Sequence, residues 1–274
     1  MARLMTLSLA RRATPSDQRG RLATRLADSP ADIQAAQRLR YEIFHEEMGA
    51  SLDAASCASG LDIDRYDAVA DHLLVEHVND QGCKVVGTYR LLRQTAPAFE
   101  GFYSSGEFDL SPLLDHVNAS GGNLLELGRS CVAPAFRTSA TIQLLWRGIA
   151  DYLAEHDISH MFGCASFEGI DPAHHAEPLS YLAHHVLAPA HMRAHALPAG
   201  RLDMNMLPIG SYDPAQAMRA LPPLIKGYLR TGALVGDGAW IDEDFGTIDV
   251  FVVMPVSEIK ARYSERFSAL RIAA

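Results

Sequence analysis

One unit constrains this chain more than any other. An apolar strand at Leu124–Val132 breaks at Pro134, an amphipathic helix follows over 141–156, and a second apolar strand runs over 160–165. A strand–helix–strand unit of this length closes as a right-handed crossover between parallel strands. An α/β fold is therefore expected, and the other segments fit it. Ser29-Pro30 opens a helix whose stripe is Ile33, Ala36, Leu39, Ile43 and Phe44, ending at Gly49. Strands over 72–78 and 84–92 flank Asn79-Asp80-Gln81-Gly82, a hairpin signal. Further strands are expected over 21–27, 201–207 and 248–253, and helices over 173–186, 222–230 and 257–269. Residues 50–70 read as a loop carrying Asp62, Asp64 and Asp67. No repeat or linker interrupts this pattern, so one domain over 21–274 is expected behind a basic arm at 1–20.

Composition narrows the class. The chain has 274 residues, of which 48% are hydrophobic, and no apolar run approaches the roughly 20 residues that span a bilayer. The net charge of −9 argues against nucleic-acid binding. The charge is uneven, with six arginines and one acid in residues 1–25. Such an arm suits either plain solvation or contact with an acidic partner or an anionic membrane surface. The four cysteines share no C-x-x-C spacing, so buried free thiols and a cytoplasmic setting are expected.

Glu126 lies among leucines in the strand Leu124–Val132. A glutamate in such a strand either faces solvent or is a carboxylate whose proton affinity the surroundings set. Arg129 would lie on the opposite face, unless a bulge at Gly128 intervenes and also frees a backbone N–H for an oxyanion. Arg137, Thr138, Ser139 and Thr141 at the following helix start offer a guanidinium, hydroxyls and free N–H groups to a phosphate. No P-loop, G-x-G-x-x-G or nucleophile elbow is present, and a nucleophilic role for Cys131 is disfavoured by its apolar neighbours. Eight of the twelve histidines fall between His156 and His195, but without H-E-x-x-H they read as surface and helix-face residues, and no metal is expected.

Taken together, these pieces resemble the acyl-carrier-protein-dependent branch of the GNAT superfamily. Arg40 and Phe44, Asp64 and Asp67, Gly87-Thr-Tyr-Arg90-Leu-Leu, and Glu126-Leu-Gly-Arg129 follow the order and spacing of acyl-homoserine-lactone synthases. Those enzymes carry a Trp near the end of the first helix, where this chain has Met48-Gly49-Ala50. The stretches 125–134, 141–149, 221–228 and 237–242 look more like ornithine lipid N-acyltransferases.

That resemblance implies a GNAT-like α/β fold. Its mixed central sheet is splayed between the fourth and fifth strands (124–132 and 160–165), flanked by helices and extended by a C-terminal helical elaboration. It further implies transfer of a 3-hydroxyacyl chain from acyl carrier protein to the α-amine of L-ornithine, with acyl-phosphopantetheine as co-substrate and no permanently bound cofactor. Glu126 would be the base, with Arg129, Ser130 and Cys131 beside it and backbone N–H groups near Ser130 to Val132 binding the oxyanion. Val132, Arg137, Thr138, Ser139 and Thr141 would hold the pantetheine arm and its phosphate. Arg40, Phe44, Asp64, Asp67 and Arg90 would serve the amino acid, the aspartates facing its ammonium groups and Arg90 or Arg129 its carboxylate. A purely structural Arg129–Asp67 ion pair is an equal reading. Phe99, Phe102, Tyr103, Phe108, Leu144, Leu145 and Trp146 are candidates for an acyl tunnel. Loose attachment at the inner membrane face is expected of an enzyme with an amphiphilic product. A lactone synthase, or a catalytically silent haemolysin-like protein, could use the same scaffold.

Overall fold

The computed structural model describes residues 20–259. The expected basic arm, apart from Gly20, and most of the helix expected over 257–269 lie outside them. The strands are β1 (Arg21–Leu26), β2 (Asp71–Asn79), β3 (Gly82–Arg93), β4 (Phe108–Asp109), β5 (Leu124–Val132), β6 (His160–Glu168), β7 (His195–Ala196), β8 (Arg201–Leu202), β9 (Leu234–Asp242) and β10 (Thr247–Pro255). The α-helices are α1 (Pro30–Tyr41), α2 (Ala54–Ser59), α3 (Ser111–Ser120), α4 (Ser139–Glu155), α5 (Ala176–His185), α6 (Pro214–Ala220) and α7 (Pro223–Thr231). The strands form one mixed sheet in the order β1-β2-β3-β5-β6-β10-β9-β7-β4, with β8 on β9. The fourth and fifth strands of the sequence pattern are thus β5 and β6, because the two-residue β4 precedes them. Among the described residues no helix is long and apolar enough to cross a membrane.

Local chemistry sets the element ends. Ser29 caps α1, its hydroxyl accepting from Asp32 N–H, and Pro30 takes the first turn. Past Tyr41 the helix widens into a π turn at Glu42–Glu47. The strand expected over 201–207 shrinks to Arg201–Leu202. In contrast, β9 went unforeseen: Gly236-Asp-Gly238 hides its alternation, and a bulge shifts its register on β10 between Val250 and Val252. The C-terminal part is accordingly part sheet as well as helical.

The sheet divides two cores. On one face Leu125, Leu127, Met161, Val250 and Val252 pack with Leu145 and Ile149 of α4 and with Ile225 and Tyr228 of α7. The other face carries Leu92, Leu124, Phe162 and Phe251, covered by Phe102, Phe108 and α3. Side chains alternate, so Arg90, Glu126, Cys164 and Asp249 belong to this second face.

Between β5 and β6 the parallel ladder stops early. Leu124, Leu125 and Glu126 pair with His160, Met161 and Phe162, and nothing beyond is paired. The backbones still touch once: a Cβ on Gly163 would fall 2.2 Å from Leu127 O. Thereafter β5 turns away, because Tyr89 on β3 faces both Arg129 and Ser130 where the register slips. The bulge is built at Arg129, which takes the left-handed conformation (φ 50°), and not at Gly128.

Candidate active site

The bulge turns Arg129 onto the face of Glu126. Its guanidinium sits under Tyr103 (4.7 Å to the ring centroid) and over Phe245 (4.8 Å), and Phe245 packs edge-on against Phe44. Glu126 lies beneath the same covering turn, Tyr103–Gly106. Tyr103 N–H donates to Oε2 (2.7 Å), while Ser104 N–H (2.7 Å) and the Ser104 hydroxyl both donate to Oε1. Burial raises the pKa of Glu126, and these donors from Ser104 and Tyr103 pull it back. Neither oxygen faces bulk water.

Arg40, Asp64, Asp67 and Arg90 meet one another instead of an open pocket. Arg40 is fully buried and donates to Asp62 (2.8 Å) and Asp67 (2.7 Å). Arg90 donates to Asp64 (2.6 Å) and Asp67 (3.3 Å). Arg129 joins through Asp62 (3.2 Å) and Asp64 (3.4 Å), so its structural partners are these and not Asp67. Burial would raise the Asp67 pKa, but Arg40 and Arg90 hold it well below the usual carboxylate range. The network pins the 50–70 segment to the sheet. Within it Asp64 is the more accessible acid, its side chain 21% exposed against 5% for Asp67.

Cys131 is buried, as its apolar neighbours imply. It packs against Leu39 and Ile43, and burial pushes its thiol up to about 12, which removes it as a nucleophile. The Ser130 side chain is turned to the opposite face from Glu126, beside Tyr89, whose hydroxyl lies 3.1 Å from that of Tyr228. Ala133 N–H is spent on Val86 O (2.8 Å); alternation then directs Val132 N–H away from β3, into the gap. Val132 O accepts from Arg137 Nε (3.1 Å). Arg137 also makes a bidentate pair with Glu47 (2.7 and 2.8 Å). Thr138 caps α4, its hydroxyl accepting from Thr141 N–H (3.4 Å), and the first-turn N–H groups at Ser139 and Ala140 are left without intrahelical partners.

Two adjoining apolar cavities lie on the α4–α7 face of the gap. One is bounded by Leu127, Gly163 and Tyr228, the other by Trp146 and Leu153, and they share Met161 and Met254. Of the tunnel candidates only Trp146 lines them. Phe99, Phe102 and Phe108 belong to the opposite core. The histidines do not gather as His191-x-x-x-His195: His191 lies against His116 with the rings tilted (4.4 Å between centroids), and His195 pairs with Asp237 (3.2 Å).

Five side chains around Glu126, those of Ser104, Cys164, Glu107, Asp242 and Asp249, are not among the site residues expected from the sequence. Ser104 Oγ lies 3.4 Å from Cys164 Sγ, which donates to Glu107 Oε2 (3.3 Å). Glu107, Asp242 and Asp249 bring carboxylate oxygens within 4.8 Å of one another. Burial first, then Asp249, pushes Glu107 up to about 8; burial raises Asp249 to about 6. Asp249 had the same signal as Glu126, a carboxylate inside an apolar strand.

A model of the acetyltransferase (GNAT) domain matches residues 39–147. The chain is 46% identical over 264 residues to the L-ornithine N(alpha)-acyltransferase of Rhizobium meliloti (strain 1021), covering 94% of this chain and 88% of the relative. A protein of the same name from Brucella abortus (strain 2308) is 45% identical over 255 residues, covering 91% and 90%. Among solved structures, FeeM, an N-acyl amino acid synthase from uncultured soil microbes, aligns over 87% of this chain and 93% of its own, with a TM-score of 0.50 and 13% identity. That likeness bears on the fold alone.

Proposed function

This chain belongs to the L-ornithine N(alpha)-acyltransferase family, and from that premise we propose that it moves a 3-hydroxyacyl chain from acyl carrier protein to the α-amine of L-ornithine, giving lyso-ornithine lipid. The observation that carries this reading is the opening between β5 and β6 after Glu126 and Phe162, with apolar cavities on one face and buried carboxylates on the other. A pantetheine thioester lying in that opening would send its acyl chain toward Met161 and Met254. The amine would approach from the face of Glu126 and Cys164.

The residues suit each step. The α4 N-terminus and the hydroxyls of Thr138 and Ser139 can hold a phosphodiester, with Arg137 swinging from Glu47 to join them. Surface ion pairs of the Arg137–Glu47 kind are worth at most about 1 kcal/mol, so the exchange is cheap. Val132 N–H would donate to the thioester carbonyl as it becomes an oxyanion. Asp64 is the acid of the arginine network best placed to meet an ammonium group. The arriving amine is mostly protonated near pH 7, with an α-amino pKa of about 8, so a carboxylate at the opening must take a proton. No permanently bound cofactor is needed. The partner is an acyl carrier protein, and the product, a single-chain amphiphile, favours loose attachment to the inner membrane face.

The test is a reaction of purified protein with 3-hydroxyacyl carrier protein and L-ornithine, followed by free thiol and product mass. Ornithine-dependent thiol release with an N-acylornithine mass supports the proposal. Release only with S-adenosylmethionine, giving a lactone, would replace it, and no amine-dependent release would refute acyl transfer to an amino acid.

A further inference from the structure

Taking acyl transfer to an amino-acid amine as given, the open question is which carboxylate receives the proton. Glu126 is already held by three donors. Its Oε1 accepts from the Ser104 N–H and hydroxyl, and its Oε2 from Tyr103 N–H. These donors fill most of a carboxylate's roughly four acceptor positions and favour its ionised form, so they oppose its taking a proton. Glu126 therefore fixes the turn that covers it.

From that turn a chain of contacts leads to a second carboxylate. Ser104 Oγ touches Cys164 Sγ, and Cys164 donates to Glu107 Oε2. Cys164 is two residues past Phe162, the last β6 residue paired to β5, so it stands on the Glu126 face at the mouth of the opening. Glu107 is 93% buried (7% exposed) beside it, with that thiol as its side-chain hydrogen-bond partner. We infer that Glu107 is the catalytic base, taking the proton of the substrate ammonium, while Ser104 and Glu126 are positioning residues.

The step balances. One N–H bond of the ammonium breaks, its electron pair stays on nitrogen, and the proton goes to the Glu107 carboxylate. Nitrogen attacks the thioester carbon, the C–N bond forms and the C–S bond breaks. A second nitrogen proton passes to the departing thiolate, giving thiol and amide, and Glu107 then releases its proton to solvent. The surroundings match the task. Glu107 meets Cys164 from β6, Asp249 from β10, Asp242 from β9 and Glu126 from β5, with Tyr103 and Ser104 above. No cation pairs with it among the described residues, and burial with the Asp249 charge brings its proton affinity near that of an α-amine.

The experiment compares wild type with Glu107→Gln, using the acyl carrier protein thioester and L-ornithine between pH 6.5 and 9.5. Glu107→Gln should lower kcat/KM for ornithine about 100-fold or more at pH 7. The deficit should shrink as pH rises and the amine loses its proton unaided, and formate should restore part of the rate in Glu107→Ala. A second measurement does not depend on these variants folding: Asp249→Asn should move the acid limb of the wild-type profile to lower pH. An unchanged rate in Glu107→Gln, a loss equal at every pH without formate rescue, or an unmoved limb in Asp249→Asn would overturn the assignment. Wild type inert toward ornithine would instead strike the acyl-transfer reading itself.

Discussion

Ser104 grips Glu126 twice, its backbone N–H and its hydroxyl both donating to the same carboxylate oxygen, and so a buried acid holds the turn that roofs the site. Replacing that acid tests the anchor. Glu126→Gln keeps the shape but sets an amide N–H₂ against N–H donors. Stability should fall by about 1–3 kcal/mol, the usual cost of buried unsatisfied donors, and acyl transfer should fall with it. Urea denaturation and the thiol-release assay read the two effects; unchanged stability would mean that the turn stands without Glu126.

The arginine network should behave as a structural lock. Arg40 is fully buried between Asp62 and Asp67. Arg40→Met leaves both acids without that partner and should cost about 3–5 kcal/mol. Arg40→Lys should rescue little, since one ammonium cannot replace the guanidinium fork. Chemical denaturation of the pair checks this, and a loss below 1 kcal/mol in Arg40→Met would show the network to be dispensable.

Two glycines near the opening should differ. A Cβ on Gly163 meets Leu127 O at 2.2 Å, a backbone atom that moves only if β5 and β6 part, whereas a Cβ on Gly128 meets nothing nearer than Arg90 Nε at 3.9 Å. Gly163→Ala should cost about 1–3 kcal/mol through overpacking and should reduce activity. Gly128→Ala should stay within about 1 kcal/mol of wild type, as a substitution free of steric conflict does. Thermal melts of the two variants give the comparison, and equal melting points would contradict it.

Stability should depend on pH with opposite signs at two places. Asp67 has a depressed folded pKa, so its contribution is present above the unfolded value of about 3.9 and is lost as pH falls through the folded one. Glu107 is raised from 4.5 to about 8. Its contribution is full below 4.5 and is lost as pH climbs to about 8. Between those limits wild type should lose up to about 1.4 kcal/mol per pH unit relative to Glu107→Gln. Parallel denaturation curves at pH 5, 6, 7 and 8 measure that difference, and a constant difference would mean that Glu107 stays ionised throughout.

Much of this was legible in the sequence, for identifiable reasons. The unit β5–α4–β6 was plain because long apolar strands and a 3.6-residue stripe differ in period. Ser29-Pro30 and Asn79-Asp80-Gln81-Gly82 carried their own backbone chemistry. Glu126 stood out as an acid among leucines. Glu107 did not, because the irregular stretch before α3 has no period to violate, and its neighbours Cys164 and Asp242 arrive from strands far apart in the chain. Nor could spacing tell whether Asp64, Asp67, Arg40 and Arg90 would face a substrate or one another. That depends on how the 50–70 segment folds back on β3.

The most direct measurement is a crystal structure with a hydrolysis-resistant acyl-phosphopantetheine thioether. The account predicts the pantetheine arm between β5 and β6 beyond Leu127 and Gly163, its phosphate at Thr138, Ser139 and the α4 N-terminus, and its acyl chain beside Met161 and Met254. A ligand bound elsewhere, with the two strands closed against each other, would contradict it.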